Sequence, residues 1–171
     1  MLRRLSFVPR WVIMPTIRKQ SVAEHSYGVT VIARALLSIH SEGHTDTFKL
    51  GVINSAIDHD KLEAQTGDTP SSDKPYEPPT ANTDQTKVVV KCADYLEALM
   101  FLHEETLMGN SFGVEHVQND LRVKLHDYWQ LFSYCPHTGF IEGRKPLTSD
   151  LIRVFENVAF STSMPHPSMF K

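Results

Sequence analysis

Apolar positions recur along this chain at steps of three and four residues and nowhere alternate strictly, which is the pattern of amphipathic helices rather than strands. Ser21-Val22-Ala23-Glu24 reads as a capping box, in which the serine hydroxyl and the glutamate carboxylate each accept a backbone N–H left open at a helix start. A first helix is predicted over about 22–40, with Tyr27, Val31, Ala35 and Ile39 as its apolar row, Val22, Leu36 and Leu37 beside it, and Ser41-Glu42-Gly43 as its stop. Thr45 or Asp46 caps a second helix, which carries Phe48, Val52, Ile53, Ala56 and Ile57 and ends against Asp58-His59-Asp60. Residues 66–86 hold Pro70, Pro75, Pro78 and Pro79 among Ser, Asp, Asn and Thr, and read as a long loop. A connection of that length inside a compact domain is more often functional than filler, and a lid over a site is one reading of it.

A third helix is predicted over about 85–108, with Val88, Val89, Cys92, Leu96, Leu99 and Phe101 facing the core and Gly109-Asn110 as its stop. Ser111 caps a fourth, in which Val114, Val117, Leu121, Leu125, Tyr128 and Phe132 keep the period as far as Pro136. Thr148-Ser149 opens a last helix with Leu151, Ile152, Phe155, Val158 and Ala159. The fold class is therefore all-α: a compact bundle of five or more helices, with 1–171 as a single domain.

Composition narrows the partners. With 171 residues, 41% of them hydrophobic and 22% charged, the chain matches one ordinary globular domain. Seventeen Lys and Arg against twenty Asp and Glu leave a formal charge of -3, which offers no cationic face for nucleic acid or anionic lipid and points to a small-molecule ligand. Cys92 and Cys135 form no CxxC pair, the longest apolar stretch is far short of the roughly 20 residues that cross a bilayer, and the basic N-terminus lacks a sustained apolar run, so a cytoplasmic address is expected.

Of nine histidines, two stand beside acidic residues at helix positions that matter. His25 lies one turn into the first helix next to Glu24, His59-Asp60 closes the second, and Asp94 sits midway along the apolar third. Neighbouring residues on a regular helix point about 100° apart, but at a helix end the backbone can turn to aim both His59 and Asp60 inward. Two imidazoles and two carboxylates suit a divalent transition ion, and an ion would remove the cost of a buried Asp94. Each residue taken singly has an ordinary structural reading, so it is the order His, His-Asp, Asp along consecutive helices that carries the signal.

That order resembles the HD superfamily of metal-dependent phosphohydrolases. Arg10-Trp11 with Met14, Glu24-His25-Ser26, His59-Asp60-x-x-Glu63, Thr66-Gly67-Asp68-Thr69-Pro70 with Lys74, and Ala93-Asp94 further resemble the bacterial 5'-deoxynucleotidase branch and the short phage enzymes that remove triphosphate from dATP. The resemblance covers about residues 9–100; the interval from Asp60 to Asp94 is shorter than in the bacterial enzymes, and nothing beyond about residue 110 carries over.

The resemblance implies that His25, His59, Asp60 and Asp94 bind a divalent ion, with cobalt, manganese, zinc, iron and magnesium all open, and that the ion polarises a phosphoryl oxygen and activates water. Glu63 is then the catalytic carboxylate that positions the attacking water; its alternative is a solvated glutamate beyond a helix end. Asp68 is either a second carboxylate near the leaving oxygen or a turn-forming aspartate bonded to its own backbone. Arg10, Lys61 and Lys74 are basic residues beside the motifs and fit phosphate contacts, while Arg18, Lys19 and Lys61 are equally readable as solvated charges. Trp11, with Ile13 two residues on, offers a flat apolar face to a base or to the sugar at its 2' position, or else packs in the core, and Pro70 shapes a pocket wall.

The expected activity is hydrolysis of purine deoxynucleotides at the 5'-phosphate, leaning to dATP and triphosphate release, with deoxynucleoside monophosphates as the alternative substrates. A catalytically silent HD module that binds nucleotide is the alternative of another class. The family also implies a homo-oligomer.

Overall fold

The computed structural model describes residues 2–39, 44–69 and 76–132. A 3-10 turn over Leu2–Phe7 precedes α1 (Val22–Ile39), α2 (Asp46–Asp58), the single turn α3 (Glu63–Thr66), α4 (Gln85–Leu107) and α5 (Val114–Phe132). Among the described residues there are thus four long helices and one short turn, and no strand beyond an isolated bridge between Pro9 and Ser21. The helix expected to open at Thr148-Ser149, and the proposed positions of Pro70 and Lys74, lie outside the described residues.

Local chemistry sets the helix ends. The capping box is present: Glu24 accepts from the Ser21 N–H at 2.7 Å, and the Glu24 N–H donates to the Ser21 hydroxyl at 3.2 Å. Thr45, not Asp46, caps α2, accepting from the Phe48 N–H at 3.2 Å. Gly109, at φ 93°, closes α4 with its own N–H on the Thr106 carbonyl and the Asn110 N–H on that of Glu105, a paired closure that needs the left-handed backbone glycine adopts freely. The fourth long helix starts at Val114, three residues later than the Ser111 cap implied, because Gly113 at φ 74° keeps the chain out of helix until then.

The buried face of α1 also differs from expectation. Tyr27 and Val31 are exposed, and the core side is formed by Val22, His25, Val29, Ile32, Ala33, Leu36 and Leu37. A row taken only in steps of four advances about 400° per step, about 40° past a full turn, and drifts off a fixed face, whereas alternating steps of three and four hold it. His25 therefore lies on the inward face.

Helix α4 is the axle. It packs against α1, α2 and α5, and every core residue expected on it, from Val88 to Phe101, is buried. Ahead of α1, residues 8–21 fold back as a strap. The Val22 N–H donates to the Val8 carbonyl at 2.9 Å and the Arg10 N–H to the Gln20 carbonyl at 2.8 Å, closing the strap at its base. Its outer end is clamped by the fully buried Glu105 of α4, which accepts the Ile17 and Arg18 N–H groups at 2.7 and 2.8 Å. Arg10 and Trp11 are thereby held over the inner half of α4, where Trp11 stacks on Phe101 with centroids 5.2 Å apart. No helix among the described residues is long and apolar enough to cross a membrane.

Candidate metal centre and its cavity

The side chains of α1, the α2 end and α4 meet at one corner. His25 is fully buried, and its Nε2 lies 3.3 Å from His59 Nε2, 3.2 Å from Asp94 Oδ1 and 3.6 Å from Asp60 Oδ2. His59 Nε2 is in turn 3.1 Å from Asp60 Oδ2. His59 and Asp60 occupy the turn that follows α2, where the backbone leaves helical register and lets both residues aim the same way.

The outer nitrogens of both rings are already engaged. His59 Nδ1–H donates to the Ala56 carbonyl at 2.7 Å, and His25 Nδ1–H donates to the Glu97 carboxylate. With Nδ1 engaged in this way, each imidazole can turn an Nε2 lone pair toward the corner, where the two Nε2 atoms stand 3.3 Å apart with carboxylate oxygens alongside. Asp60, Asp94 and the two ring nitrogens converge here, with the Lys91 ammonium 2.7 Å from the other oxygen of Asp94, and a divalent cation at the centre would be held by all four groups. His25, His59 and Asp60 offer ligand atoms all within 4.8 Å of one another, and Asp94 joins them through its contact with His25.

The electrostatics agree with a corner of concentrated charge. Burial pushes the Asp94 carboxyl up, but the Lys91 ammonium, 2.7 Å away, and the two imidazoles hold it well below the usual carboxylate range. Burial likewise opposes ionisation of Asp60, and the hydrogen bond and charge of His59, together with His25, lower it. For His25, burial and the Arg10 charge disfavour the imidazolium, yet Asp94 and Glu97 prevail and raise its proton affinity.

A cavity of about 330 Å³ opens from this corner, bounded by the strap, α3, α4 and α5. Glu63, Asp68, Arg10, Trp11 and Ile13 all line it, as expected for a shared site. Glu63 is the first residue of α3 rather than a solvated side chain beyond a helix end; one of its oxygens accepts the Thr69 N–H at 3.1 Å, while Oε2 is buried without a hydrogen-bond partner. Burial, with Asp60 nearby, raises its proton affinity. Asp68 accepts the Trp11 N–H at 3.1 Å, and burial raises its proton affinity too.

Trp11 combines both roles weighed for it. It is a core residue, 8% exposed, yet it borders the cavity. Its backbone stands at φ 64°, a conformation that costs a non-glycine residue about 1–2 kcal/mol and is held by the Asp68 bond, the Phe101 stack and a 3.0 Å bond from Nε1 to Gln20. Lys61 does not reach the cavity: it is exposed and pairs with Asp58 at 2.9 Å on the outer surface.

Sequence reasoning missed several of the lining groups. Lys87 and Lys91 stand on α4 at seven and three residues before Asp94, Lys124 faces them from α5, and Tyr76, Tyr95 and Tyr128 supply aromatic wall. Tyr76 is pinned to α5 by its hydroxyl, which donates to Asp127 at 2.9 Å. The signal was the helical spacing of Lys91, Asp94 and Glu97, three residues apart and polar in an otherwise apolar helix.

The profile of the 5'-deoxynucleotidase YfbR-like family matches residues 1–83. A dATP triphosphohydrolase of Salmonella phage PMBT28 is 29% identical over 149 residues, 74% of this chain and 75% of that protein. A 5'-deoxynucleotidase of Vibrio vulnificus is 35% identical over 83 residues, 47% of this chain and 42% of its own length, and one of Pasteurella multocida is 38% identical over 80 residues, 45% and 40%. The chain thus spans less than half of these bacterial relatives. Among solved structures, the HD phosphohydrolase of cyanophage S-2L, bound to dA and one catalytic Zn2+ ion, superposes with a TM-score of 0.63 at 20% identity over 94% of this chain and 95% of that one. An HD-domain phosphohydrolase of Listeria innocua gives 0.61 at 16% identity over 95% of both.

Proposed function

We infer that this chain, an HD-domain phosphohydrolase by its family match, its relatives and its fold, hydrolyses deoxynucleotides at the 5'-phosphate with a divalent ion held by His25, His59, Asp60 and Asp94. The observation that carries this reading is the convergence of those four side chains at one corner, from which Asp60 and Asp94 line a cavity that Glu63, with its buried, unpartnered oxygen, lines as well. When bound there, a divalent ion supplies Lewis-acid polarisation of a phosphoryl oxygen and acidifies water.

The chain's own residues do the rest. Arg10, on the strap, meets the phosphate as a planar donor. Glu63, which lines the cavity, takes the proton of the attacking water, a role that its raised proton affinity suits. Asp68, protonated more readily than a free aspartate, returns a proton to the leaving 5'-oxygen. Trp11 and the tyrosines form the apolar walls on which a base or sugar rests.

Triphosphates fit the cavity better than monophosphates. Asp94, Lys91 and Lys87 follow one another along a single face of α4, so positive charge runs from the metal corner back along the helix for about 10 Å. Lys124 reaches the same cavity from α5, with its ammonium paired to Asp120 at 2.7 Å. Such a row neutralises anionic groups beyond the one at the reacting phosphorus. A monophosphate has none there, so dATP is the preferred substrate, as it is by name for the phage relative, and deoxyadenosine and tripolyphosphate are the products.

The test is product analysis with dATP beside dAMP, in cobalt, manganese, magnesium and zinc. Tripolyphosphate from dATP supports the reading. Turnover of dAMP with dATP inert replaces it by a 5'-deoxynucleotidase, and no turnover with any metal replaces it by a silent nucleotide-binding module. Lys87→Met is expected to raise KM for dATP several-fold while leaving dAMP unchanged.

A further inference from the structure

The carboxylate of Glu97 occupies a place between the metal corner and the strap that none of the roles above accounts for. It sits on α4 one turn past Asp94 and gathers three donors. His25 donates Nδ1–H to Oε2, Gln20 donates Nε2–H to Oε1 at 2.6 Å, and Arg10 lies 3.4 Å from Oε2. Gln20 in turn accepts Trp11 Nε1–H at 3.0 Å, so a single carboxylate links a ring of the metal corner to Arg10 and Trp11 of the strap.

Helix α1 is built around it. Gly28, one turn beyond His25, stands in mid-helix where glycine is disfavoured against alanine. A Cβ at that position would lie 2.8 Å from Glu97 Cγ and 3.1 Å from its Oε1. The glycine leaves room for this one side chain.

We propose that Glu97 is a positioning residue that fixes His25 with its proton on Nδ1 and its Nε2 free, and that sets Arg10 and Trp11 by the same contacts, so that ion affinity and substrate grip depend on one group. An imidazole whose outer N–H is held by a carboxylate is oriented and more basic at the ligating nitrogen, and loss of such a partner typically weakens a metal site 10–100-fold. The inference rests on the corner being a metal site. Glutamine at 97 keeps the shape but offers one acceptor oxygen to three donors.

Glu97→Gln is compared with the parent protein by competition of a chromophoric chelator for Zn2+ or Co2+, by the imidazole 15N spectrum of the metal-free protein, and by KM and kcat on dATP. Expected are a 10–100-fold weaker ion affinity, a His25 signal that mixes both neutral tautomers, and a KM raised more than kcat falls. An unchanged ion affinity and an unchanged Nδ1–H signal, with only a lower melting temperature, overturn the proposal. Should Glu97→Gln fail to fold, Gly28→Ala decides: it keeps every donor and the carboxylate but displaces Glu97, and a helix at least as stable with several-fold weaker ion binding is expected, whereas full ion affinity overturns the role. A parent protein that takes up no ion defeats the metal reading itself, and the tautomer signal of the metal-free protein still judges Glu97 separately.

Discussion

Replacing Glu105 by glutamine tests how the strap is held. Glu105 is fully buried near the end of α4 and receives the Ile17 N–H at 2.7 Å, the Arg18 N–H at 2.8 Å and the Asn110 side-chain amide at 2.7 Å. Hydrogen bonds to an ionised acceptor contribute about 1.5–3 kcal/mol each, and an amide leaves at least one donor facing an N–H instead of an oxygen. The expected loss is about 3 kcal/mol at pH 7, or roughly 6–12 °C in melting temperature for a chain of this size. Burial alone would raise the Glu105 carboxyl, but the Asn110, Arg18 and Ile17 bonds together bring it below its ordinary value. A folded-state value lower than the unfolded one stabilises the protein above about pH 4.3, and that contribution is lost as pH falls through the folded value. Urea unfolding of both proteins at pH 7, 5, 4 and 3 should show a gap that is full at pH 7 and 5 and closes toward pH 3. A gap below about 1 kcal/mol at pH 7, or one that widens in acid, would refute the reasoning. Because the strap carries Arg10 and Trp11, KM for the substrate should rise in the same variant.

Other substitutions separate chemistry from scaffold. Glu63→Gln should lower kcat by about 10²–10⁴-fold, the usual weight of a general base, with ion affinity kept in the chelator assay. Lys61→Ala should leave kcat and KM within about twofold, since an exposed i,i+3 pair contributes under about 1 kcal/mol and the side chain lies outside the cavity. Leu99→Ala empties a fully buried site on α4 and should cost about 2–5 kcal/mol in urea unfolding while ion affinity at pH 7 stays unchanged.

Much of this site could be read before any coordinates. The corner formed by His25, His59, Asp60 and Asp94 was legible from the order His, His-Asp, Asp along consecutive helices, although each residue taken singly has an ordinary structural reading. Glu63 and Asp68 came from the family resemblance, and both line the cavity beside that corner. Lys61 was misplaced: adjacency in sequence to Asp60 says nothing about direction once the chain turns, and the side chain found Asp58 instead.

By itself, the sequence determined the helical class, the helix starts at Ser21 and at Thr45 or Asp46, the stop at Gly109 and the core row of α4, all of which follow from backbone donors, side-chain caps and periodicity acting within a few residues. Only the tertiary structure decided which face of α1 turns inward, that Lys87, Lys91 and Lys124 share a cavity with the metal corner, and that Glu97 ties His25 to Gln20 and Arg10. Those facts depend on how the strap, α1, α4 and α5 are oriented around one another. Contacts such as Gln20 to Glu97, 77 residues apart in the chain, are set by packing against a shared core and leave no local mark in the pattern of residues.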